Sequence, residues 1–588
     1  MKRIFSFFAA ATLLAGVVAC NPENPDKPDG KGAVATLTEL SDAAINGTSI
    51  DAASTVAGLI KNSKTGKGIP GVAVTDGYNY VKTDANGVYQ MARDSRSRKI
   101  YYTLPADYEV ALNPDSHLPA FYNPGILESS KKYRADFTLT PLSTPETEFT
   151  LLMVGDPQCS IASEVARYKT ETVRDIKSTS AQYPHCYAMT LGDIVFDSTD
   201  MWNMMVSSMS NVQDENGRYV PFYQTIGNHD HNSLVADTSD DLADDYNATL
   251  EYVKHFGPTD YSFDRGSAHI IAMDDIPVSS QASSSKSNGK TWNYSAGFTD
   301  DQYKWFKQDI ESVANKDQKV GILCLHIPFR AGATSGGASV NKNLHYQDFL
   351  NLMKEFKEFH IMIGHTHYQQ NYLHTGMLCK GGSYIYEHVH GSACGAWWAS
   401  DCNVTGGPNG YTVYSVKGNT VTNWVMKGAN KASDYQLRVY DGNQVYSGSK
   451  GYKYQWYNSA NTYLSCKAIG FAEAKDSFVA EVFNDDKLNW KVEMWQNGAK
   501  VGDFIRKADS GLSNIPVCAY WYNEKGKSTD TYVSRTSSHY WYFTPGGVAP
   551  KDMKNWEVRA VQTIPGNPSQ VNTYICKDLT TDYKSFDK

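Results

Sequence analysis

This 588-residue sequence predicts a central α/β layer structure flanked by two all-β sandwich domains. Three observations carry that expectation. In the middle of the chain, apolar runs of strand length end in polar loops and alternate with helical patterns, as when helices cover a sheet. Over 51–142, apolar and polar residues alternate between Gly, Asn-Gly and Lys-Thr-Gly turns, the pattern of a β-sandwich. Over 380–580, Tyr and Trp are dense, helical periodicity disappears, and runs such as "WKVEMWQNG" and "NWEVRAVQTI" alternate, which predicts a second, β-rich sandwich contributing to any site nearby.

The chain opens "MKRIFSFFAAATLLAGVVAC", with a basic start, an apolar stretch over 4–19 and small residues before Cys20. Residues 1–19 read as a secretory signal peptide rather than a membrane-spanning helix. "VVAC" is similar to a bacterial lipoprotein box, which implies lipidation of Cys20 after cleavage. Residues 20–50, beginning with the Pro/Asp/Gly-rich run after Cys20, are expected to be a flexible tether, with acyl chains supplying membrane residence. Asn21 favours an outer-membrane or surface position in the bacterial cell envelope. No other stretch approaches the roughly 18 consecutive apolar residues that a span needs.

"LTPLSTPETE" leads into the central domain, 147–379. There 149–154 reads as a buried strand with Asp156 and Gln158 at its carboxyl end. "CYAMTLGDIVFD" places Asp193 after a strand and a glycine, and "FYQTIGNHDH" does the same for Asn228 and His229. "VGILCLHIPF" ends its strand at His326, and "FHIMIGHTH" delivers His365 and His367. Open α/β sheets build their sites at such strand ends. "SEVARYKTETVRDIKSTSAQ" and "TDDQYKWFKQDIESV" carry helical patterns, the second opening at a capping Thr299. "SSQASSSKSNGKTWNYSAG" is a Ser/Gly/Asn-rich insertion, readable as a mobile lid or as a long solvated loop.

Carboxylate, carboxamide and imidazole groups gathered in this way can hold two divalent cations bridged by a carboxylate, at the roughly 3.5–4 Å separation of two-metal hydrolases. In this order the segments resemble the calcineurin-like metallophosphoesterase superfamily, whose motifs run Asp-x-His, Gly-Asp, Gly-Asn-His-Asp/Glu, His and Gly-His-x-His. The resemblance implies a four-layer α/β/β/α sandwich and two divalent ions (Mn, Fe, Zn or Mg). Asp156, Gln158, Asp193 and His367 would bind the first, and Asp193, Asn228, His326 and His365 the second, with Asp193 as the bridge. It also implies hydrolysis of a phosphomonoester or phosphodiester by a metal-bridging hydroxide. His229 would be the acid that protonates the leaving oxygen, and Asp230 a catalytic residue that orients nearby groups. Gln158 departs from the pattern, standing where a histidine is usual. Its amide oxygen tilts the first site slightly away from tight zinc binding and toward Mn²⁺, Mg²⁺ or Fe²⁺.

Gly58, "GIPGVAV" and "TDANGVYQM" resemble a carboxypeptidase-regulatory-like, transthyretin-like module, for which a spacer role is expected. "HGSACGAWW", "GGPNGYTVYSVKGN" and "YQLRVY" resemble the C-terminal domain fused to certain bacterial calcineurin-like phosphoesterases. Within "YEHVHGSACGAWW", His388, His390, Trp397 and Trp398 are candidates for a substrate-binding wall, the tryptophans for stacking a sugar, base or head group. A buried domain interface is the other reading. It weighs equally for the tryptophans, whereas a pair of loop histidines favours the pocket.

Net charge is −8, which gives no nucleic-acid surface, so the expected partner is a small or exposed phosphoester. Of the 10 cysteines, those beyond Cys20 number nine, an odd count that leaves at least one unpaired in an oxidising compartment. Cys394 and Cys402 are the candidate pair, Cys324 a buried apolar thiol, and Cys159 a packed thiol beside the site. Two other functions compete: hydrolysis of a phosphoanhydride such as a nucleotide or nucleotide-sugar, and non-catalytic binding of a glycan or other ligand by a surface lipoprotein. The second should have lost ligands, and only position 158 departs. The sequence does not address oligomeric state.

Overall fold

The computed structural model describes residues 35–581 except 215, 233–240, 279–285, 288–289, 292–293, 331–344, 404, 449, 459–460, 464–465, 508–511, 527–536 and 538. The expected signal peptide, Cys20 and most of the tether lie outside the described residues, as does much of the Ser/Gly/Asn-rich insertion. Among the described residues, no helix is long and apolar enough to cross a membrane.

Near the N-terminus, Val56–Asn62 lies between Tyr133–Leu139 and Val88–Met91, and a second small sheet centres on Ala73–Thr75. Tyr133–Leu139 alternates buried and half-buried positions along its length, so a single face fills the core. This domain packs directly on the central one: Tyr80 donates to Asp309 at 2.8 Å, Tyr101 to the Asp260 carbonyl at 2.7 Å, and the Phe121 and Tyr261 rings are 4.8 Å apart. It shares the central core cluster rather than standing off as a separate bead.

The central domain is built on two sheets. The first uses β1 (Glu148–Val154), β2 (Cys186–Leu191) and β3 (Phe222–Thr225) in parallel. The second uses β4 (Tyr261–Arg265), β5 (Ala268–Ala272), β6 (Val320–Cys324), β7 (Glu358–Ile363), β8 (Gln370–Leu378) and β9 (Tyr384–Val389), in the order β4-β5-β6-β7-β9-β8. Beside β1, β10 (Gly410–Lys417) and β11 (Thr420–Gly428) extend the first sheet antiparallel, giving β3-β2-β1-β10-β11.

Alternation along the first sheet explains the layering. Leu151, Met153, Met189 and Leu191 belong to the core shared with the second sheet. Their neighbours Leu152, Val154 and Ala188 turn the other way, onto Val165 and Tyr168 of α1 (Ala162–Tyr168), Ile176 of α2 (Arg174–Ser180) and Trp202 and Met205 of α3 (Trp202–Met209). A five-residue π-helical stretch, Lys169–Val173, joins α1 to α2. The second sheet shares its cluster with Trp305, Phe306 and Ile310 of α4 (Asp300–Ser312) and with Phe349 and Met353 of α5 (Tyr346–Met353). Thr299 caps α4, accepting from the Gln302 amide at 3.3 Å while the Gln302 side chain returns to Thr299 N.

The domain boundary expected at 380 moves. β9, β10 and β11 pair with central strands, so the two central sheets close only at Gly428. Beyond it, two four-stranded sheets face one another: Leu437, Val439, Phe478 and Ala480 from one meet Trp490, Val492, Met494 and Val558 from the other. The all-β expectation also misses a helix, α6 (Ile515–Asn523), opened by Asn514, whose side chain accepts from Val517 N at 3.0 Å. Every residue of α6 is buried, and a helix apolar all round shows no amphipathic period. The disulfide expected at Cys394 does not form: that residue is a free, buried thiol.

Candidate metal centre

Five strand ends converge. Asp156 and Gln158 follow β1, Asp193 follows β2, Asn228 follows β3, His326 follows β6, and His365 and His367 follow β7. Asp156, Gln158, Asp193, His365 and His367 all hold left-handed backbone, with φ of 41, 44, 48, 67 and 58°. Such conformations cost about 1–3 kcal/mol each and persist where the surroundings over-determine them. The loops are laced to do so: Gln158 N donates to the Asp193 carbonyl at 2.8 Å, His365 N to both Asp156 carboxylate oxygens at 3.0 Å, and Gly364 N to the His326 carbonyl at 3.2 Å. The glycines of the motifs are forced by proximity. A Cβ on Gly227 would lie 2.1 Å from Asp193 N, and one on Gly192 (φ +83°) would lie 2.4 Å from His326 Nδ1.

The side chains meet in two overlapping groups. Asp193, His326 and His365 each bring one donor atom within 4.8 Å of the others, and Asp156, Asp193 and His367 do the same, so Asp193 is common to both. Asn228 joins the first group, its Oδ1 lying 3.1 Å from His326 Nε2 and 3.0 Å from His365 Nδ1. His326 Nδ1 donates to the Leu191 carbonyl at 2.8 Å, which directs Nε2 toward Asp193 as the nitrogen that could ligate an ion in place of its proton. Gln158 donates through Nε2 to Asp193 at 2.9 Å, and its Oε1 is buried with no hydrogen-bond partner. A buried amide oxygen left without a donor is costly unless something electropositive meets it, and a divalent cation beside Asp156 and Asp193 would do so. The donor set of carboxylates, amide oxygens and imidazoles fits two such ions.

Electrostatics agree with that fit. Burial pulls the His326 imidazole down, but Asp193 outweighs it and raises it to about 10. Burial likewise lowers His367, and Cys394 and Asp156 outweigh it, again to about 10. Burial opposes ionisation of Asp193, yet His326, His229 and His365 hold it far below the usual carboxylate range. Burial, then His326, pushes His365 well below its ordinary value, leaving it neutral and able to ligate. The cluster therefore draws positive charge.

His229 lies just outside this ring. Its Nε2 is 4.0 Å from Asp193 Oδ2, its ring stacks on Phe196 at 4.2 Å, and its side chain is 20% exposed, against 2% for Asp193. Its Nδ1 is 3.0 Å from Asp197, a residue the sequence reading did not single out. The only available signal was position: Asp197 sits four residues beyond Asp193 in the same loop, itself at φ 55°. Tyr294, from the insertion, was also missed. Burial and then Asp193 raise its hydroxyl to about 12, which places it within electrostatic reach of the cluster.

Asp230, expected as a catalytic residue that orients nearby groups, is seen holding two loops of the site together. Its carboxylate accepts from Gly227, Ile194 and Val195 N–H groups at 2.9, 3.1 and 3.0 Å and so ties the Asp193 loop to the Asn228 loop. It is 2% exposed, and burial followed by Asp193 raises it to about 7.

His388 and His390 require a correction. Both are 0% exposed. His388 joins His360 Nδ1 at 2.9 Å and Asn371 Oδ1 at 2.9 Å, while His390 joins the Ile363 carbonyl at 2.9 Å and the Tyr414 hydroxyl at 2.9 Å. Neither has an open face for substrate. The tryptophans divide. Trp398 is 8% exposed and donates to the Pro157 carbonyl at 3.0 Å, whereas Trp397 is half-buried with its ring 4.8 Å from that of His367.

Two family matches bracket this centre. Residues 54–142 match the family described as the N terminal of calcineurin-like phosphoesterase, and residues 387–565 match the one described as the C terminal of calcineurin-like phosphoesterase. Together with the Asp/His groups between them, these matches support the metallophosphoesterase superfamily and a metal-dependent phosphoesterase hydrolase. No curated protein matches the chain. Among solved structures, the purple acid phosphatase PPD1 from yellow lupin (Lupinus luteus) seeds aligns at 11% identity over 74% of this chain and 68% of its own, with a TM-score of 0.30. At that distance the likeness adds nothing to what the site shows by itself.

Proposed function

We propose that this protein is a dinuclear metal-dependent phosphoesterase acting on small or exposed phosphoesters at a bacterial cell envelope, to which lipidated Cys20 anchors it. The observation that carries the dinuclear reading is the sharing of Asp193 between two donor groups, with the unsatisfied Gln158 oxygen on one side and Asn228 on the other. Asp156, Gln158, Asp193 and His367 would hold one ion, and Asp193, Asn228, His326 and His365 the other. Divalent ions bound there would supply Lewis acidity toward phosphoryl oxygens and lower the pKa of water.

The chain's own part is positioning and proton transfer. Asp197 and Asp193 flank the imidazole of His229 and outweigh the burial that lowers its pKa, so its protonated form is favoured. Its partial exposure leaves it able to reach a leaving-group oxygen and protonate it. Phe196, stacked on the ring, fixes its plane, and Trp397 offers an aromatic surface beside His367.

Hydrolysis of p-nitrophenyl mono- and diesters by the purified protein tests this. Chelation should abolish turnover and divalent metal restore it, and His229→Ala should cost about 10²- to 10⁴-fold in kcat with metal content unchanged. Turnover indifferent to both treatments would remove the mechanism. The anchoring is tested separately, by membrane fractionation of the Cys20→Ala protein.

A further inference from the structure

Between the N-terminal sandwich and the central domain lies a half-open cavity of about 140 Å³ that nothing in the metal centre uses. Its two walls carry opposite charge. Arg96, Arg98 and Lys99 come from the sandwich, and Asp245, Asp260, Asp274 and Asp301 from the central domain, with Tyr78 and Tyr246 at the sides.

Some of these charges already have partners. Arg96 bridges Asp94 and Asp301 at 2.9 and 2.7 Å, and Asp274 pairs with His231 at 3.0 Å. Four groups do not. Arg98 is 8% exposed, donates to Thr249 Oγ1 at 3.0 Å and to the Tyr246 carbonyl, lies 3.4 Å over the Tyr246 ring, and keeps a buried Nε without a partner. Lys99 is 6% exposed and is held only by the Asn123 and Gly125 carbonyls, at 3.3 and 2.7 Å, with Tyr122 beneath it. Neither closes an ion pair with a carboxylate among the described residues, although Asp245 on the opposite wall attracts Arg98. Across the cavity, Asp245 accepts from Val278 N at 2.8 Å, and Asp260 from Asp274 N at 3.0 Å and Thr259 Oγ1 at 3.2 Å. Gln302 Nε2 also donates to Asp260, at 3.5 Å. Neither carboxylate closes an ion pair among the described residues, although Arg98 and His231 act electrostatically on Asp245.

Buried cations and carboxylates that face one another over a space of ligand size without closing into ion pairs form a receptor for a molecule carrying both charges. We propose that this cavity binds a small zwitterion, its anionic group against Arg98 and Lys99 and its ammonium against Asp245 and Asp260. An apolar cavity of about 150 Å³ accommodates benzene, so the volume suits a ligand of six to eight heavy atoms, the scale of a small amino acid. Burial, which lowers Lys99 to about 8 and raises Asp260 to about 8 with Asp274 adding to the second, matches a site awaiting both charges.

Calorimetry on the full chain tests the proposal, using serine and taurine as carboxylate and sulfonate zwitterions and acetate and ethanolamine as single-charge controls. Saturable binding of a zwitterion, at least about tenfold tighter than either control, is expected, with Arg98→Gln and Asp260→Asn each weakening it by about tenfold or more. Preference between serine and taurine assigns the anionic group. If Arg98→Gln does not fold, Lys99→Met tests the same wall. Because the cavity is apart from the metal centre, chelated protein should bind equally, so failure here is distinct from failure of the phosphoesterase reading. No saturable binding up to about 10 mM, binding unchanged in the variants, or acetate binding as tightly as serine would each overturn it.

Discussion

His365 and His367 have the same spacing as His388 and His390, and the fold uses the two pairs in opposite ways. The first pair leaves β7 on left-handed backbone at φ 67 and 58° and meets Asn228 and Asp156 at the strand ends. The second stays with β9: His388 is paired in register with both Met362 and Asn371, and the two rings end on another imidazole, an amide, a carbonyl and a tyrosine hydroxyl. One pair is gathered around carboxylates and the other around neutral partners. Histidine spacing is therefore a poor guide to ligation, and the surrounding charge is the discriminating quantity.

The strongest way to break that contrast is to remove the charge both donor groups share. Asp193→Asn should lose both ions and at least about 10³-fold in kcat/KM, read by elemental analysis and p-nitrophenyl ester hydrolysis. A variant that retains two ions per chain would mean Asp193 is not the bridge.

A smaller effect is expected at Asp197, which touches His229 but belongs to neither donor group. Burial lowers the His229 pKa, and Asp193 and then Asp197 raise it above the ordinary value. As a proton donor it works while protonated, so activity falls as pH rises through that raised value. Asp197→Asn should move this alkaline limb to lower pH and reduce kcat by about 10²-fold near neutrality, with metal content intact. A uniformly lower profile with an unmoved limb would reduce Asp197 to a packing role.

The other histidine pair should answer in stability rather than chemistry. His388→Ala removes a buried ring and strands His360 Nδ1 and Asn371 Oδ1, at a cost of about 2–4 kcal/mol, with metal content and ester preference unchanged. Denaturant midpoints and the mono- to diester rate ratio measure both. A changed ratio at unchanged stability would return His388 to the pocket.

What the sequence could say follows the same divide. The convergence of Asp156, Asp193, Asn228, His326, His365 and His367 is legible because each joins a side chain able to ligate to the end of an apolar strand, two independent local signals. Asp230 was legible as a motif member but not as a clamp, since its three partners are backbone N–H groups from two loops. The sequence assigns β10 and β11 to the C-terminal sandwich because an alternating Tyr-rich strand reads alike in either sheet, and only the pairing of β10 with β1 places them in the central one. α6 escaped because "IPVCAYWYN" buries all its faces, leaving no period to detect.

The smallest expected change probes the first ion most finely. Gln158 is the one proposed ligand position filled by a neutral oxygen where the resemblance leads one to expect an imidazole, and that oxygen is buried without a partner while its amide nitrogen is committed to Asp193. Gln158→His would replace the oxygen with a softer nitrogen donor and release one hydrogen bond on Asp193. The expected result is a shift of metal preference toward zinc with less than about a tenfold change in rate when each protein carries its preferred ion, measured by competition between Zn²⁺ and Mn²⁺ during reconstitution. Unchanged preference would mean that Oε1 does not reach the ion, and the first site would then rest on Asp156, Asp193 and His367 alone.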